Sequence, residues 1–219
     1  MKKLREFKAA VFDMDGTLTT TMEIWDKLVD NFVIFKGKVP EPGLRQYVLA
    51  LDMRQTAEFL IDRYGIEGTP ETVMDEINDF AAEEFEKKAF PKANVTDYLR
   101  YLKDRGVGIA VATATDRVIA EPTLIRAGIY QYVDRMFTCT EEGVDKKTPE
   151  IYLRAARFLG AEDPSECAVF EDALHCIKTV KKEGFYTVAI YEEVFKNDLE
   201  EIKNTADEFI YSYEEIERC

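Results

Sequence analysis

Four short, continuous apolar runs, at residues 9–12, 107–112, 167–170 and 187–191, set the strictest limit on how this chain can fold. Each is rich in Val, Ile, Ala or Phe and shows no polar alternation, the pattern of central parallel strands covered on both faces. Between them apolar residues recur at helical spacing: Val95, Tyr98, Leu99 and Leu102 before Gly106, and Ile151, Leu153, Ala155, Ala156 and Leu159 before Gly160. Strands alternating with amphipathic helices predict an α/β fold with a Rossmann-like parallel sheet.

The alternation breaks between residues 19 and 90. There Ile24, Leu28, Val29 and Phe32, then Val73, Ile77, Phe80, Ala81 and Phe85, follow a helical period with no convincing strand. A structureless loop of that length is improbable inside a compact domain, so the stretch predicts an inserted α-helical domain, a candidate lid. The expected division is a catalytic core at 1–18 and 91–219 and a helical cap at 19–90. The EEFEKK run that closes the insert reads as a solvated helix face with i,i+4 pairs.

Charge and composition narrow the chemistry. The 219 residues carry 29 Lys and Arg against 43 Asp and Glu, a formal net charge of −14. No basic stripe is present to hold a phosphate backbone, which argues against a nucleic-acid partner. No run approaches the roughly 20 apolar residues of a membrane span, and the run at 9–12 is too short for a signal-peptide core. A cytoplasmic, unprocessed protein is expected, monomeric by default. Cys139, Cys167, Cys176 and Cys219 lack metal-ligand spacing and are expected to be reduced. A small anionic substrate fits such a chain if a metal focuses it.

Ligands of open α/β sheets bind beyond the carboxyl ends of the strands, so the residues closing each run matter. The first run ends in Asp13-Met14-Asp15-Gly16-Thr17-Leu18, the second in Thr113-Ala114-Thr115-Asp116, and the third in Glu171-Asp172. Parallel strands bring Asp13, Asp15, Glu171 and Asp172 to one edge, where mutual repulsion would raise their pKa values unless a cation intervened. Mg²⁺ suits the set: it takes oxygen ligands, typically one or two carboxylates plus a substrate phosphate. A carboxylate can also attack phosphorus and divide one displacement into two. Gly16 permits a tight turn that turns backbone N–H groups towards a phosphoryl oxygen, Thr113 can donate its hydroxyl to another, and a lysine can neutralise charge on the transferring group.

These residues resemble the haloacid dehalogenase superfamily, in its phosphatase and β-phosphoglucomutase-like branch with a helical cap of the first type. DxDGT closing an apolar strand, a strand ending in Ser or Thr, a Lys shortly before a helix, and an acidic pair after another strand appear here in that order. The segment FPKANVTDYLRYLKDRG is similar to the one that opens the second core unit in capped members. The resemblance implies Asp13 as nucleophile and metal ligand, and Asp15 as general acid and base with its backbone carbonyl on Mg²⁺. It implies Asp172 as a metal ligand, Glu171 as ligand or water-mediated partner, and Thr113, the Ala114 N–H and a Lys as the phosphate cradle. The Lys-x-x-Pro register selects Lys146; the spacing to the acidic pair would favour Lys147, but the loop at 160–166 can absorb a one-residue insertion, so Lys146 is the expected lysine. The implied activity is hydrolysis of a small phosphorylated metabolite.

Plainer roles compete at several positions. Asp13 and Asp15 could be turn or capping acids, but both follow a buried strand and precede Gly-Thr. Glu171-Asp172 could cap the next helix, and Thr115 and Asp116 read as the start of a helix rather than substrate contacts. His175, the sole histidine, falls inside a helix, and Trp25 lies on an apolar face with Leu28 and Val29. Arg54 in the insert could reach a substrate anion. The rival activity is a phosphohexomutase similar to β-phosphoglucomutase, whose cap Arg matches Arg54 but which has His where this chain has Trp25 and Lys where it has Asp116. DGTL is followed by Thr19-Thr20-Thr21 in place of the Asp frequent in related subfamilies. Dehalogenation is disfavoured because that branch lacks the second Asp of DxD, and a phosphonate hydrolase would require a Schiff-base Lys in the cap, which sequence alone does not place. A phosphate-binding module without turnover is the reading from another class.

Overall fold

The computed structural model describes residues 1–48, 51 and 53–218. In chain order the strands are β1 (Ala9–Phe12), β2 (Gly108–Thr113), β3 (Arg135–Thr138), β4 (Cys167–Glu171), β5 (Tyr186–Ile190) and β6 (Glu208–Ile210). The helices are α1 (Met22–Phe35), α2 (Leu44–Val48), α3 (Met53–Tyr64), α4 (Pro70–Lys88), α5 (Val95–Asp104), α6 (Arg117–Arg126), α7 (Cys139–Glu142), α8 (Glu150–Phe158), α9 (Leu174–Lys182) and α10 (Leu199–Thr205).

All strands run parallel in the order β3-β2-β1-β4-β5-β6, a Rossmann-like sheet. The chain winds outward from β1 through β2 to β3, then restarts beside β1 with β4, so the topology reverses between β1 and β4. In open α/β sheets such a reversal is where ligands bind beyond the strand ends. The register pairs Phe12 with both Val111 and Phe170, so Asp13, Thr113 and Glu171 emerge at nearly the same level.

Chemistry follows from the two faces of β1. On one face Ala9, Val11, Ala110, Ala112, Cys167 and Val169 meet α8 and α9 through Ile151, Tyr152, Ala155, Cys176 and Val180. The alanines let α8 approach closely. On the other face Phe12 stacks on Phe170 at 4.3 Å, and Tyr98 of α5 and Tyr213 extend the aromatic layer.

The four apolar runs form strands with ends shifted by at most a residue. The edge strands β3 and β6 lie outside those runs: one is Arg-Met-Phe-Thr and the other three residues long, too short for a periodic signal. Asp207 anchors the second edge. Its carboxylate accepts hydrogen bonds from the Thr187 N–H and hydroxyl, both at 2.9 Å, and from Lys181.

By contacts the chain divides into a unit of Met1–Met22 with Ala89–Cys219 and a second unit, Glu23–Lys88. The second is wholly helical among its described residues. Ile24, Leu28 and Phe32 of α1, Leu60 of α3, and Val73, Ile77, Ala81 and Phe85 of α4 are buried in it. Trp25 sits edge-on to Phe85 at 5.3 Å. The EEFEKK run carries the i,i+4 pairs Glu83–Lys87 and Glu84–Lys88. Cys139, Cys167 and Cys176 are free thiols, whereas Cys219 and Asp52 lie outside the described residues. No helix among the described residues is long and apolar enough to cross a membrane.

Burial alone would raise the pKa of Asp207, but hydrogen bonds from Lys181 and Thr187 hold it below the usual range. A depressed carboxyl stabilises the fold above its unfolded pKa of about 3.9 and stops doing so as pH falls through the lower folded value. Asp207→Asn is therefore expected to cost about 1 kcal/mol at neutral pH, with the gap to wild type narrowing below about pH 4, measured by urea unfolding across pH.

Candidate active site

The site begins with the turn after β1. The Asp13 N–H donates to the Phe170 carbonyl at 3.0 Å, tying the residue to β4. The chain then doubles back: the Leu18 and Thr19 N–H groups both donate to the Met14 carbonyl at 2.9 Å, and the Gly16 N–H to the Thr19 carbonyl at 2.9 Å. Gly16 has φ +86°, and a Cβ there would lie 2.0 Å from Asp172 Oδ2. Only glycine fits. From below, the Tyr213 hydroxyl donates to the Thr17 carbonyl at 3.2 Å.

Asp13, Glu171 and Asp172 are buried and offer carboxylate oxygens within 4.8 Å of one another. Lys146 is the cation among them. Its ammonium bonds Asp13 Oδ1 and, at 2.8 Å, Glu171 Oε1. Lys147 is exposed, so the structure selects Lys146 as the lysine of this cluster. Glu171 is well satisfied: Oε1 also accepts from the Tyr152 hydroxyl at 2.6 Å, and Oε2 from the N–H groups of Asp172 and Ala173 at 3.0 and 3.2 Å. Asp13 Oδ2 and Asp172 Oδ2, in contrast, are buried without a hydrogen-bond partner.

The electrostatics follow. Burial pushes the Asp13 carboxyl up to about 8, against the pull of Lys146 and with a further push from Glu171 and Asp15. Burial, then Asp13 and Glu171, raises Asp172 well above the carboxylate range. Burial also works against Glu171, but Lys146 and the hydroxyl of Tyr152 hold it below its usual value. Two crowded carboxyls that resist ionisation, each with an orphaned oxygen, accept either a proton or a cation. The oxygen-only donor set suits a hard divalent ion.

Asp15 is handled differently. Its Oδ1 accepts from Thr21 at 2.6 Å, and its Oδ2 from Thr115 at 2.6 Å and Thr113 at 3.3 Å. The Thr113 hydroxyl in turn accepts the Thr115 N–H at 3.0 Å. Sequence reasoning assigned Thr115 to a helix start, yet α6 begins at Arg117 with Asp116 as N-cap, and the Thr115 hydroxyl belongs to the site. The i,i+2 spacing from Thr113 off a strand end was the available signal. Thr21, Tyr152 and Tyr213 carried none, because their contacts exist only in three dimensions.

The remaining candidates fall elsewhere. Ala114 is exposed just past β2. Arg54, in the helical unit, pairs with Glu71 at 2.6 Å and Glu58 at 3.2 Å. His175 is exposed on α9, its Nε2 3.3 Å from Cys176 Sγ.

An acidic triad, a largely enclosed lysine and an Asp-x-Asp-Gly turn thus meet at the sheet's reversal point. The profile of the haloacid dehalogenase-like hydrolases matches residues 7–184, and the chain belongs to that family. It is similar to the phosphorylated carbohydrates phosphatase of Thermotoga maritima, 24% identical over 177 residues that span 81% of this chain and 82% of that protein. Its fold is similar to that of β-phosphoglucomutase from Clostridium difficile, with TM-score 0.68, 18% identity and coverage of 94% and 91% of the two chains. It is also similar to that of a CbbY mutant from Rhodobacter sphaeroides in complex with xylulose-(1,5)bisphosphate, with TM-score 0.75, 19% identity and coverage of 95% and 96%. The family generally uses a divalent metal, with which the acidic cluster is compatible.

Two glycines separate strain from collision. Gly106 has φ +76° with nothing near its missing Cβ, so Gly106→Ala is expected to lose only the left-handed penalty of about 1–2 kcal/mol. Gly16→Ala adds the collision with Asp172, and is expected to unfold at clearly lower urea.

Proposed function

We propose that this hydrolase is a Mg²⁺-dependent phosphatase of small phosphomonoesters that works through an aspartyl-phosphate on Asp13. The observation that carries the reading is the pair of orphaned oxygens, Asp13 Oδ2 and Asp172 Oδ2, beside the Lys146 ammonium. Mg²⁺, held by Asp13 and Asp172 with the Asp15 backbone carbonyl and with Glu171 as ligand or outer partner, would supply positive charge to the transferring phosphoryl group.

An Asp13 oxygen attacks phosphorus, the ester P–O bond breaks, and protonated Asp15 gives its proton to the leaving oxygen. A water then attacks the phosphorus, Asp15 takes the water's proton, and the Asp13–phosphorus bond breaks to release phosphate. The threonine clasp suits both states of Asp15. Hydroxyls donate to the carboxylate and, by rotating, accept from the acid. Lys146, the Thr113 hydroxyl and the Ala114 N–H bind phosphoryl oxygens. The name of the Thermotoga relative points to phosphorylated sugars as the first substrates to try.

The charges at the strand ends favour hydrolysis over mutase chemistry, which must also hold a second phosphate. Asp116 stands beside the site where the mutase has a lysine, and its carboxylate accepts from Thr140. The Arg117 guanidinium is engaged by Glu141, Glu121 and the Met136 carbonyl. A reduced cytoplasmic setting agrees with the free thiols.

Hydrolysis of p-nitrophenyl phosphate is expected with Mg²⁺ and not without it, and β-glucose 1-phosphate is expected to yield free phosphate rather than glucose 6-phosphate. Asp13→Asn should lower kcat by at least about 10⁴-fold. Lys146→Met should lower it by about 10²-fold, with Lys147→Met close to wild type. An Asp13→Asn variant as fast as wild type would falsify the mechanism.

Stability supplies a second readout. Without a cation the folded chain holds protons on Asp13 and Asp172 more tightly than the unfolded chain, so this contribution declines as pH rises from about 4 through the Asp13 value of about 8. Mg²⁺ replaces those protons, so its stabilisation should grow over the same range and reach about 2.7 kcal/mol at 100 times its Kd. Thermal unfolding with and without Mg²⁺ reads both trends, and Asp172→Asn should remove the Mg²⁺ effect.

A further inference from the structure

Tyr152 raises a question of design. It lies in α8 with no exposed surface, packed into the layer that joins α8 and α9 to the sheet. A phenylalanine would keep every apolar contact there, and burying a hydroxyl costs free energy unless it finds a partner. Its partner is Glu171 Oε1, at 2.6 Å.

A carboxylate has about four acceptor positions. On Glu171 they are filled by the Tyr152 hydroxyl, the Lys146 ammonium and the N–H groups of Asp172 and Ala173. The neighbouring Asp13 and Asp172 each keep an oxygen without a partner. The division is sharp. One acid of the triad is saturated by the protein, and two are left for something else. Lys146 joins the two groups, bonding both Glu171 and Asp13, and its ammonium also stands 5.5 Å from the centre of the Tyr152 ring.

We propose that Tyr152 is a positioning residue of the metal site: its hydroxyl completes the shell of Glu171, which then holds Lys146 and leaves cation capture to Asp13 and Asp172. The proposal rests on the metal-dependent reading above and deepens it. The terminal torsion of a glutamate is soft, so its orientation comes from its hydrogen bonds. Without the hydroxyl, Oε1 keeps one donor, the mobile ammonium, while the Asp172 and Ala173 N–H groups still hold Oε2, so the carboxylate can swing about that anchored oxygen. Lys146 would then drift on Asp13, and the two capturing oxygens would lose their fixed spacing. Losses of outer-shell partners typically weaken metal binding by about 10–100-fold.

The experiment titrates the metal-free full-length chain with Mn²⁺, read by electron paramagnetic resonance, which needs no turnover. Tyr152→Phe is expected to bind Mn²⁺ about 10-fold more weakly. In activity assays it should need a correspondingly higher Mg²⁺ concentration for half-maximal rate. Because the tyrosine acts through the glutamate, adding Tyr152→Phe to Glu171→Gln should change the affinity little further. Wild-type affinity in Tyr152→Phe, or full multiplication of the two losses in the double variant, overturns the proposal while leaving the phosphatase reading intact. If wild type fails to bind Mn²⁺, or Asp172→Asn binds as well as wild type, the metal-site reading fails and the tyrosine's role falls with it. Should Tyr152→Phe not fold, 3-fluorotyrosine at position 152 supplies the readout. Its ¹⁹F resonance should move on Mg²⁺ addition in the otherwise native chain and not with Glu171→Gln, and a silent resonance in the former overturns the proposal.

Discussion

Crowding of carboxylates around one ammonium at the β1/β4 reversal is the interaction on which the rest depends. Buried charges of like sign are expensive, and Lys146 pairs with Asp13 and Glu171 but with no carboxylate oxygen of Asp172. The remaining imbalance shows as raised pKa values on Asp13 and Asp172 and as two oxygens with nothing bonded to them. The fold tolerates this because the strands that present the acids are themselves deeply buried and tightly registered. Stability lost at the crevice is offset in the layers above and below it.

The sheet was readable because it is parallel and covered. Strands β1, β2, β4 and β5 lie inside the molecule and leave unbroken apolar runs, while β3 and β6 sit at edges and need only a few residues. The acids were readable for a related reason: each closes a buried strand, where a charged residue is conspicuous. The Lys-x-x-Pro register already favoured Lys146 over Lys147, and the coordinates place Lys146 against Asp13 and Glu171.

The supporting groups were hidden. Tyr152 looks like one more member of an amphipathic helix, and it is one, with its ring in the core and its hydroxyl on Glu171. Thr21 and Thr115 resemble ordinary turn and helix-start residues, yet they hold opposite oxygens of Asp15. Periodicity reports which face of an element is buried. It does not report what the polar atom at the end of a buried side chain touches, and the support of this site is made of such atoms.

Tyr213 extends the same point to the far end of the chain. Its ring lies in the aromatic layer with Tyr98 and Phe170, and its hydroxyl grips the carbonyl of Thr17 in the Asp-x-Asp-Gly turn. A residue 196 positions away thus braces the turn that aims Asp13 and Asp15. The segment around Tyr213 is consequently a mechanical part of the Asp-x-Asp-Gly turn, and a change that unseats this tyrosine would loosen the turn while sparing the sheet.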